Sequence, residues 1–456
     1  MRENHAKRVK ITHIRRFWPS LGTVPAKGTL ESMLNNAGFL RVSKRSDRFR
    51  NLFVTIGSII AAHHAQMQKL VNLMSKAVNL RSAEWDAPEV MATVGPTLER
   101  PGDLRLAIEA GARWFRLPCG YRQRPHVQDS RAIREASFQQ GVPVRLLLDL
   151  PSSRPRTGAM QELPLKAGDR VVFWDPNGTA SEPAANGFPH VPLPGLAQLL
   201  AKLRPRHRMW FCDGRLRFQV HEVQAGSVLA RLEEGTVPLK ASNSIFLPDC
   251  LSPYAVVTAE DANLLDAFAA ARLAPDWVAL SLISSPEDVR AGRQEVHGRL
   301  GSNVRIMAKF ETAAAVNCAE DIINAADGVM VARGDLGLAV GYIRLPEIQE
   351  RLVAAARRAQ KPVVVATQVL EMFAATGVPQ RAELSDLSLI ARQRADAAML
   401  GKETVFSPRP IECIRLAREV LAYETQRLER LALESRRPRQ SPRAFAEARL
   451  ASASTS

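Results

Sequence analysis

From Glu89 onward the chain alternates short apolar runs with longer segments whose apolar residues recur at three- and four-residue spacing. The clearest run is Val329 to Ala332 in DGVMVARG, bare of polar alternation, as suits a parallel strand covered on both faces. EVMATVG, RWFRLPCG, VRLLLDL, WVALSLI, VRIMAKF, PVVVATQ and ADAAMLG read the same way. Between and after them the spacing predicts helices over residues 101–110, 130–140, 261–272, 286–300, 317–326, 346–360 and 382–394, and a last one from Pro410 through about Leu433. Eight strands, each followed by a helix, is the count of an α/β (β/α)8, or TIM, barrel.

Three stretches break the pattern. After the third strand, residues 157–240 carry turn sequences (Asp175-Pro176-Asn177-Gly178, Asp213-Gly214) and alternating segments such as RLRFQVHEV and SVLARLEE. This is the texture of a small inserted all-β domain of hairpins. An insert in that loop sits over the C-terminal face of a barrel, so a lid is expected. Residues 1–86 are basic, with helical spacing over Gly28–Phe39 and Ile56–Val78, and read as a helical N-terminal extension. Residues 435–456, rich in Arg, Pro, Ser and Ala, read as a disordered basic tail. The barrel itself is expected over residues 87–156 and 241–434.

Composition narrows the class. The 456 residues are 46% apolar, as in ordinary globular proteins. The sequence contains no uninterrupted apolar run of about 18 residues, and Met1 to Arg16 is basic without an apolar core. Five scattered cysteines, never in CxxC spacing, point to a reducing, cytoplasmic setting without structural zinc. The net charge of +16 fits either nucleic acid or polyanionic substrates. Much of the excess lies in the two ends, which carry no aromatic interleaving, so solvated extensions are expected rather than a nucleic-acid surface.

Three successive strands end in groups that can do chemistry. Lys309 and Glu311, two apart, share one side of their strand. Asp335 follows the next strand between Gly334 and Gly337, and Thr367 and Gln368 close the one after. Adjacent strand ends lie about 5 Å apart, so Glu311 and Asp335 can share a divalent cation with water or substrate completing its shell. The amides after Arg333 suit an anionic group. Lys309 is placed to neutralise charge developing on a phosphoryl group or an enolate. No histidine follows His297, which leaves metal-assisted electrostatic catalysis on an anion.

DGVMVARGDLG, MAKFE, KPVVVATQVLE, RAELSD and AAMLGKET, in this order and spacing, resemble the barrel domain of pyruvate kinase, from about Met91 to Val420. The resemblance implies phosphoryl transfer from phosphoenolpyruvate to ADP, giving pyruvate and ATP, with Mg²⁺ or Mn²⁺ as cofactor. It implies Glu311 and Asp335 as metal ligands and Gly334 and Asp335 at the substrate. Lys309 matches the lysine stabilising the phosphoryl group and enolate, and Thr367 the threonine of enolate protonation. Arg116 matches the phosphate-binding arginine, and Arg156 and Lys240 correspond to cations on the nucleotide side.

Two segments depart from the family. Arg116-Leu117-Pro118-Cys119-Gly120-Tyr121 stands where the family has an Asn-x-Ser-His-Gly run after the arginine, so both side-chain ligands for K⁺ are missing. Asp149-Leu150-Pro151-Ser152-Ser153-Arg154-Pro155-Arg156 stands for Asp-Thr-Lys-Gly-Pro-Glu-Ile-Arg. Asp149 is retained, and Arg154 replaces the glutamate. The expectation is that the monovalent-cation site is lost, that Arg154 supplies its charge and that K⁺ is not required. The expectation is of a member without the family's C-terminal domain, whose homo-oligomer, if any, differs from the family's tetramer. Two other readings stay open: a Mg²⁺-dependent lyase acting on pyruvate or oxaloacetate enolates, and a catalytically weak homologue with a binding or regulatory role.

Overall fold

The structure, a computed structural model, describes residues 87–436 apart from 121–125, 153, 179–186, 213, 236 and 251–254. The expected N-terminal extension and basic tail lie outside the described residues. The chain divides into two units, Met1–Glu84 and Trp85–Ser456, and the described residues belong to the second.

Eight parallel strands close into a barrel. They are β1 (Glu89–Thr93), β2 (Ala112–Pro118), β3 (Arg145–Leu150), β10 (Trp277–Leu280), β11 (Arg305–Phe310), β12 (Gly328–Ala332), β13 (Val363–Ala366) and β14 (Ala397–Leu400). Each pairs with its sequence neighbour in the barrel, and β1 closes the ring against β14. Alternate residues of each strand point inward. Met91, Trp114, Leu147, Trp277, Ala279, Met307, Met330, Val364, Ala366, Ala397 and Met399 fill the interior, with Trp114 and Trp277 tilted against each other at 5.7 Å. The opposite faces pack under the helices in a second apolar layer. Burial on both faces is why these strands read as solid apolar runs.

The helices start and stop where local chemistry directs. Pro101–Ala110 and Pro286–Leu300 span the predicted residues. Ser285 caps the latter in a capping box with Asp288. The helix expected over 317–326 is two pieces, Ala313–Asn317 and Ala319–Ala325, broken at Cys318, the first capped by Thr312. The glycine-rich stretch after β12 is not an open turn but a helix, Arg333–Val340. Gly337 is required there because a Cβ would stand 2.8 Å from the Tyr342 ring.

The insert folds as a second sheet with its own core. Its strands are β4 (Arg170–Trp174), β5 (His190–Pro192), β6 (Arg208–Phe211), β7 (Leu216–Gln224), β8 (Ser227–Gly235) and β9 (Ile245–Phe246). They lie in the order β5-β4-β8-β7-β6-β9. Phe173 stacks on Phe211 at 5.1 Å, and Phe218 meets both edge-on. Each fully buried phenylalanine contributes roughly 1.5–3 kcal/mol, enough to hold so small a sheet together. Hairpins dominate, but β4 and β5 pair in parallel, and β9 lies past Lys240.

Candidate active site

The inward face that fills the barrel with apolar side chains continues, two residues further along each strand, as a charged layer. Leu147 gives way to Asp149, Trp114 to Arg116, Ala279 to Ser281, and Met307 to Lys309 and then Glu311. The period of two therefore carries the core directly into the site. These residues floor a cavity of about 730 Å³, and the lid contributes Cys212, Arg215 and Ser242 to Ser244 to its walls.

Lys309 is the centre of the layer. Its ammonium donates to Asp149 Oδ1 at 3.0 Å and to Ser281 Oγ at 2.7 Å, and lies 3.1 Å from Glu311 Oε1. All three are buried, with Asp149 and Glu311 each 3% exposed and Lys309 7%. Burial opposes the ammonium, but Asp149 and Glu311 more than offset it and hold Lys309 above the usual lysine range. Asp149 accepts from Arg116 Nε at 2.6 Å as well. Burial pushes its carboxyl up, yet Lys309 and Arg116 together keep it below the ordinary carboxylate range. Ser281 Oγ in turn donates to the Leu150 carbonyl at 2.6 Å.

The neighbouring strand ends hold strained backbone. Leu282, Thr367 and Gln368 have φ of 56°, 75° and 55°, a left-handed conformation that non-glycine residues seldom adopt. Each is tied down. The Leu282 amide donates to Glu311 Oε2 at 2.7 Å. Arg333, buried under its helix, donates to the Thr367 and Gln368 carbonyls and pairs with Asp386 at 2.6 Å. Thr367, which lines the cavity, accepts at Oγ1 from the Gly334 amide at 3.0 Å, so its own hydroxyl hydrogen is not used in that bond. Glu403, buried, accepts from the amides of Val369, Leu370 and Gly401 and so braces the loop after β13.

Asp335, in the first turn of its helix, pairs with Arg154 at 2.9 Å. Burial raises its carboxyl, but Arg154, then Lys309 and Arg156, bring it below the usual value. Arg154 thus lies on Asp335 rather than at Asp149, whose charge is met by Arg116 and Lys309. Arg156 lines the cavity and donates to the Ser242 carbonyl at 3.3 Å. Lys240 is not among the lining residues; its ammonium pairs with Glu162 at 2.8 Å on the exposed side of the lid. Cys119 lines the cavity too, and burial, then Asp149 and Asp261, push its thiol well up, which disfavours the thiolate.

Among the described residues no three His, Cys, Asp or Glu side chains form a metal cluster. Glu311 and Asp335 both line the cavity, and Arg154 donates to Oδ1 of Asp335. A hard, oxygen-only pair of this kind suits Mg²⁺, which keeps several waters and takes further ligands from substrate phosphates.

The chain matches the family described as pyruvate kinase, barrel domain, over residues 86–414. It belongs to the pyruvate kinase family. A pyruvate kinase of Methylorubrum extorquens is 34% identical over 341 residues, covering 73% of this chain and 68% of that protein. One of Agrobacterium vitis is 30% identical over 336 residues, covering 73% and 67%. A crystal structure of a pyruvate kinase from Cryptosporidium parvum superposes with a TM-score of 0.66 at 25% identity, covering 74% of this chain and 69% of that one. The barrel with an inserted lid is thus the fold of the pyruvate kinase family.

Sequence reading missed Ser281 and Arg215. The first was within reach, because it ends WVALS as Lys309 and Asp149 end their own strands. The second had no signal in the chain, since only the lid's approach brings it to the cavity.

Proposed function

We propose that the protein is a Mg²⁺-dependent pyruvate kinase, transferring the phosphoryl group of phosphoenolpyruvate to ADP. The observation that carries this is the buried Lys309 ammonium, held by Asp149, Ser281 and Glu311 at the base of a cavity that Arg116 and Thr367 also line. In the reaction the bond from phosphorus to the enol oxygen breaks and one to a β-phosphate oxygen of ADP forms. The enolate left behind takes a proton at carbon to give pyruvate.

Each residue has a defined part. Arg116, fixed by Asp149, holds the phosphate of phosphoenolpyruvate with a guanidinium that stays charged at any working pH. Lys309, with its pKa raised, stays an ammonium and meets the negative charge that spreads over the transferring oxygens and the enolate. It reorganises little, because three partners already aim it. Thr367, whose oxygen is anchored on the Gly334 amide, holds a hydroxyl proton for relay toward the enolate carbon. Glu311 and Asp335 would hold Mg²⁺, which when bound supplies Lewis-acid polarisation of substrate oxygens. Arg156 serves the nucleotide side.

Potassium is not required in this reading. Asp149, the carboxylate retained from the family's monovalent-cation site, already carries two cationic partners. The five cysteines, scattered along the chain and never in CxxC spacing, suit a cytoplasmic enzyme. The test is pyruvate formation from phosphoenolpyruvate and ADP with Mg²⁺, with and without K⁺, beside Lys309→Met. Activity that needs Lys309 and is indifferent to K⁺ is expected. Folded wild-type protein that binds phosphoenolpyruvate but forms no pyruvate would instead favour a binding role or an enolate lyase.

A further inference from the structure

The cavity is floored by paired cations, and its lid side holds one that is not paired. Arg116 and Lys309 share Asp149, and Arg154 lies on Asp335. Arg215, in the turn between β6 and β7, lines the same cavity and meets no carboxylate among the described residues. Its Nε donates to the Cys212 carbonyl three residues back, at 3.1 Å, which fixes the start of the side chain and leaves the two terminal NH₂ groups uncommitted.

The turn that carries Arg215 is seated on the barrel. Gly214, at φ 79°, approaches Leu338 so closely that a Cβ would lie 2.6 Å from Leu338 Cδ2. Leu338 belongs to the helix that presents Asp335, one turn earlier. Beside Arg215 the lid wall is uncharged, with Ser242, Asn243 and Ser244, and Arg156 stands at the hinge. The lid return that sequence reading credited with Lys240 thus offers the cavity an amide and hydroxyls but no cation.

We propose that Arg215 binds the phosphates of the nucleoside diphosphate acceptor, clamping them from the lid while Arg156 holds them from the hinge. This rests on the kinase reading above and names which residue gives that site its second substrate. The phosphoenolpyruvate side already has its own cations at the strand ends, whereas a diphosphate entering under the lid brings two to three negative charges. A guanidinium suits that ligand because its planar fork takes two phosphate oxygens at once. Exposed and hydrated, it contributes little until the phosphates arrive and exclude water.

The test compares wild type, Arg215→Ala and Arg231→Ala, the last removing an exposed lid cation that pairs with Glu233 on β8, away from the cavity. ADP with Mg²⁺ and phosphoenolpyruvate with Mg²⁺ are titrated separately by calorimetry, and KM is measured for each. Arg215→Ala is expected to raise Kd and KM for ADP tenfold or more while KM for phosphoenolpyruvate moves less than twofold. Arg231→Ala should match wild type, and Arg215→Lys should recover part of the loss. Unchanged ADP affinity in Arg215→Ala overturns the assignment alone, as does an equal loss in Arg231→Ala, which would reflect net charge. Wild type that binds phosphoenolpyruvate but not ADP overturns both this assignment and the kinase reading.

Discussion

Replacing Asp149 by asparagine tests the charged layer most directly. The substitution keeps the shape and one acceptor oxygen but removes the charge that two cations share, Lys309 at 3.0 Å and Arg116 at 2.6 Å. Removing one partner of a buried pair costs about 3–5 kcal/mol. Here Lys309 keeps Glu311, and Arg116 is open enough to rehydrate, so the lower end applies, about 3 kcal/mol. For a chain of this size that is roughly a 3 °C fall in melting temperature. The pH profile gives an independent check. The folded carboxyl lies below its ordinary value, so its stabilisation is complete above the unfolded pKa of about 4 and is lost as pH falls through the folded value. The variant should therefore lose less stability than wild type below about pH 4. Thermal melting across pH 3–8, with Lys309→Met and the double variant completing a cycle, measures both effects. A coupling energy above roughly 1 kcal/mol is expected. A variant as stable as wild type at pH 7, or a coupling near zero, would show that desolvation cancels the attraction and that the layer is not held by Asp149.

Other perturbations separate the roles of neighbouring groups. Arg154→Gln frees Asp335, so Mn²⁺ titrated by electron paramagnetic resonance should bind about tenfold tighter, a gain of ~1.4 kcal/mol; unchanged affinity would mean the pair does not compete with metal. Thr367→Val should lower kcat at least 100-fold, within the usual span for proton transfer, while Thr367→Ser, which keeps the hydroxyl, stays within about tenfold; equal losses would assign Thr367 to backbone geometry alone. Arg333→Met strands Asp386 and two carbonyls of the strained loop, and should lower stability by about 3 kcal/mol as read by thermal melting; a change under 1 kcal/mol would remove Arg333 from the support of Thr367.

The order of elements was legible because each strand is buried on both faces and each helix on one, and burial writes its period into the chain. The same period showed that Lys309 and Glu311 share a face, and WVALS could have yielded Ser281 by that rule. Local sequence also carried the glycine before and after Asp335, but not the helix they begin, because Gly337 is chosen for Tyr342 packing and not for a turn.

Only closure of the barrel decided the partners. Asp149 and Lys309 are 160 residues apart, and Arg154 and Asp335 are 181 apart. Strand ends carry no mark of which neighbour they will face, so Arg154 could be assigned a charge but not a carboxylate. The lid went furthest beyond sequence. Lys240 and Arg215 are both cations on short lid segments, and nothing local distinguishes them. The seating of Gly214 on Leu338 turns Arg215 into the cavity, while Lys240 faces Glu162 outside it. Periodicity fixes which side of an element is buried; the approach of two elements distant in the chain fixes what that side meets.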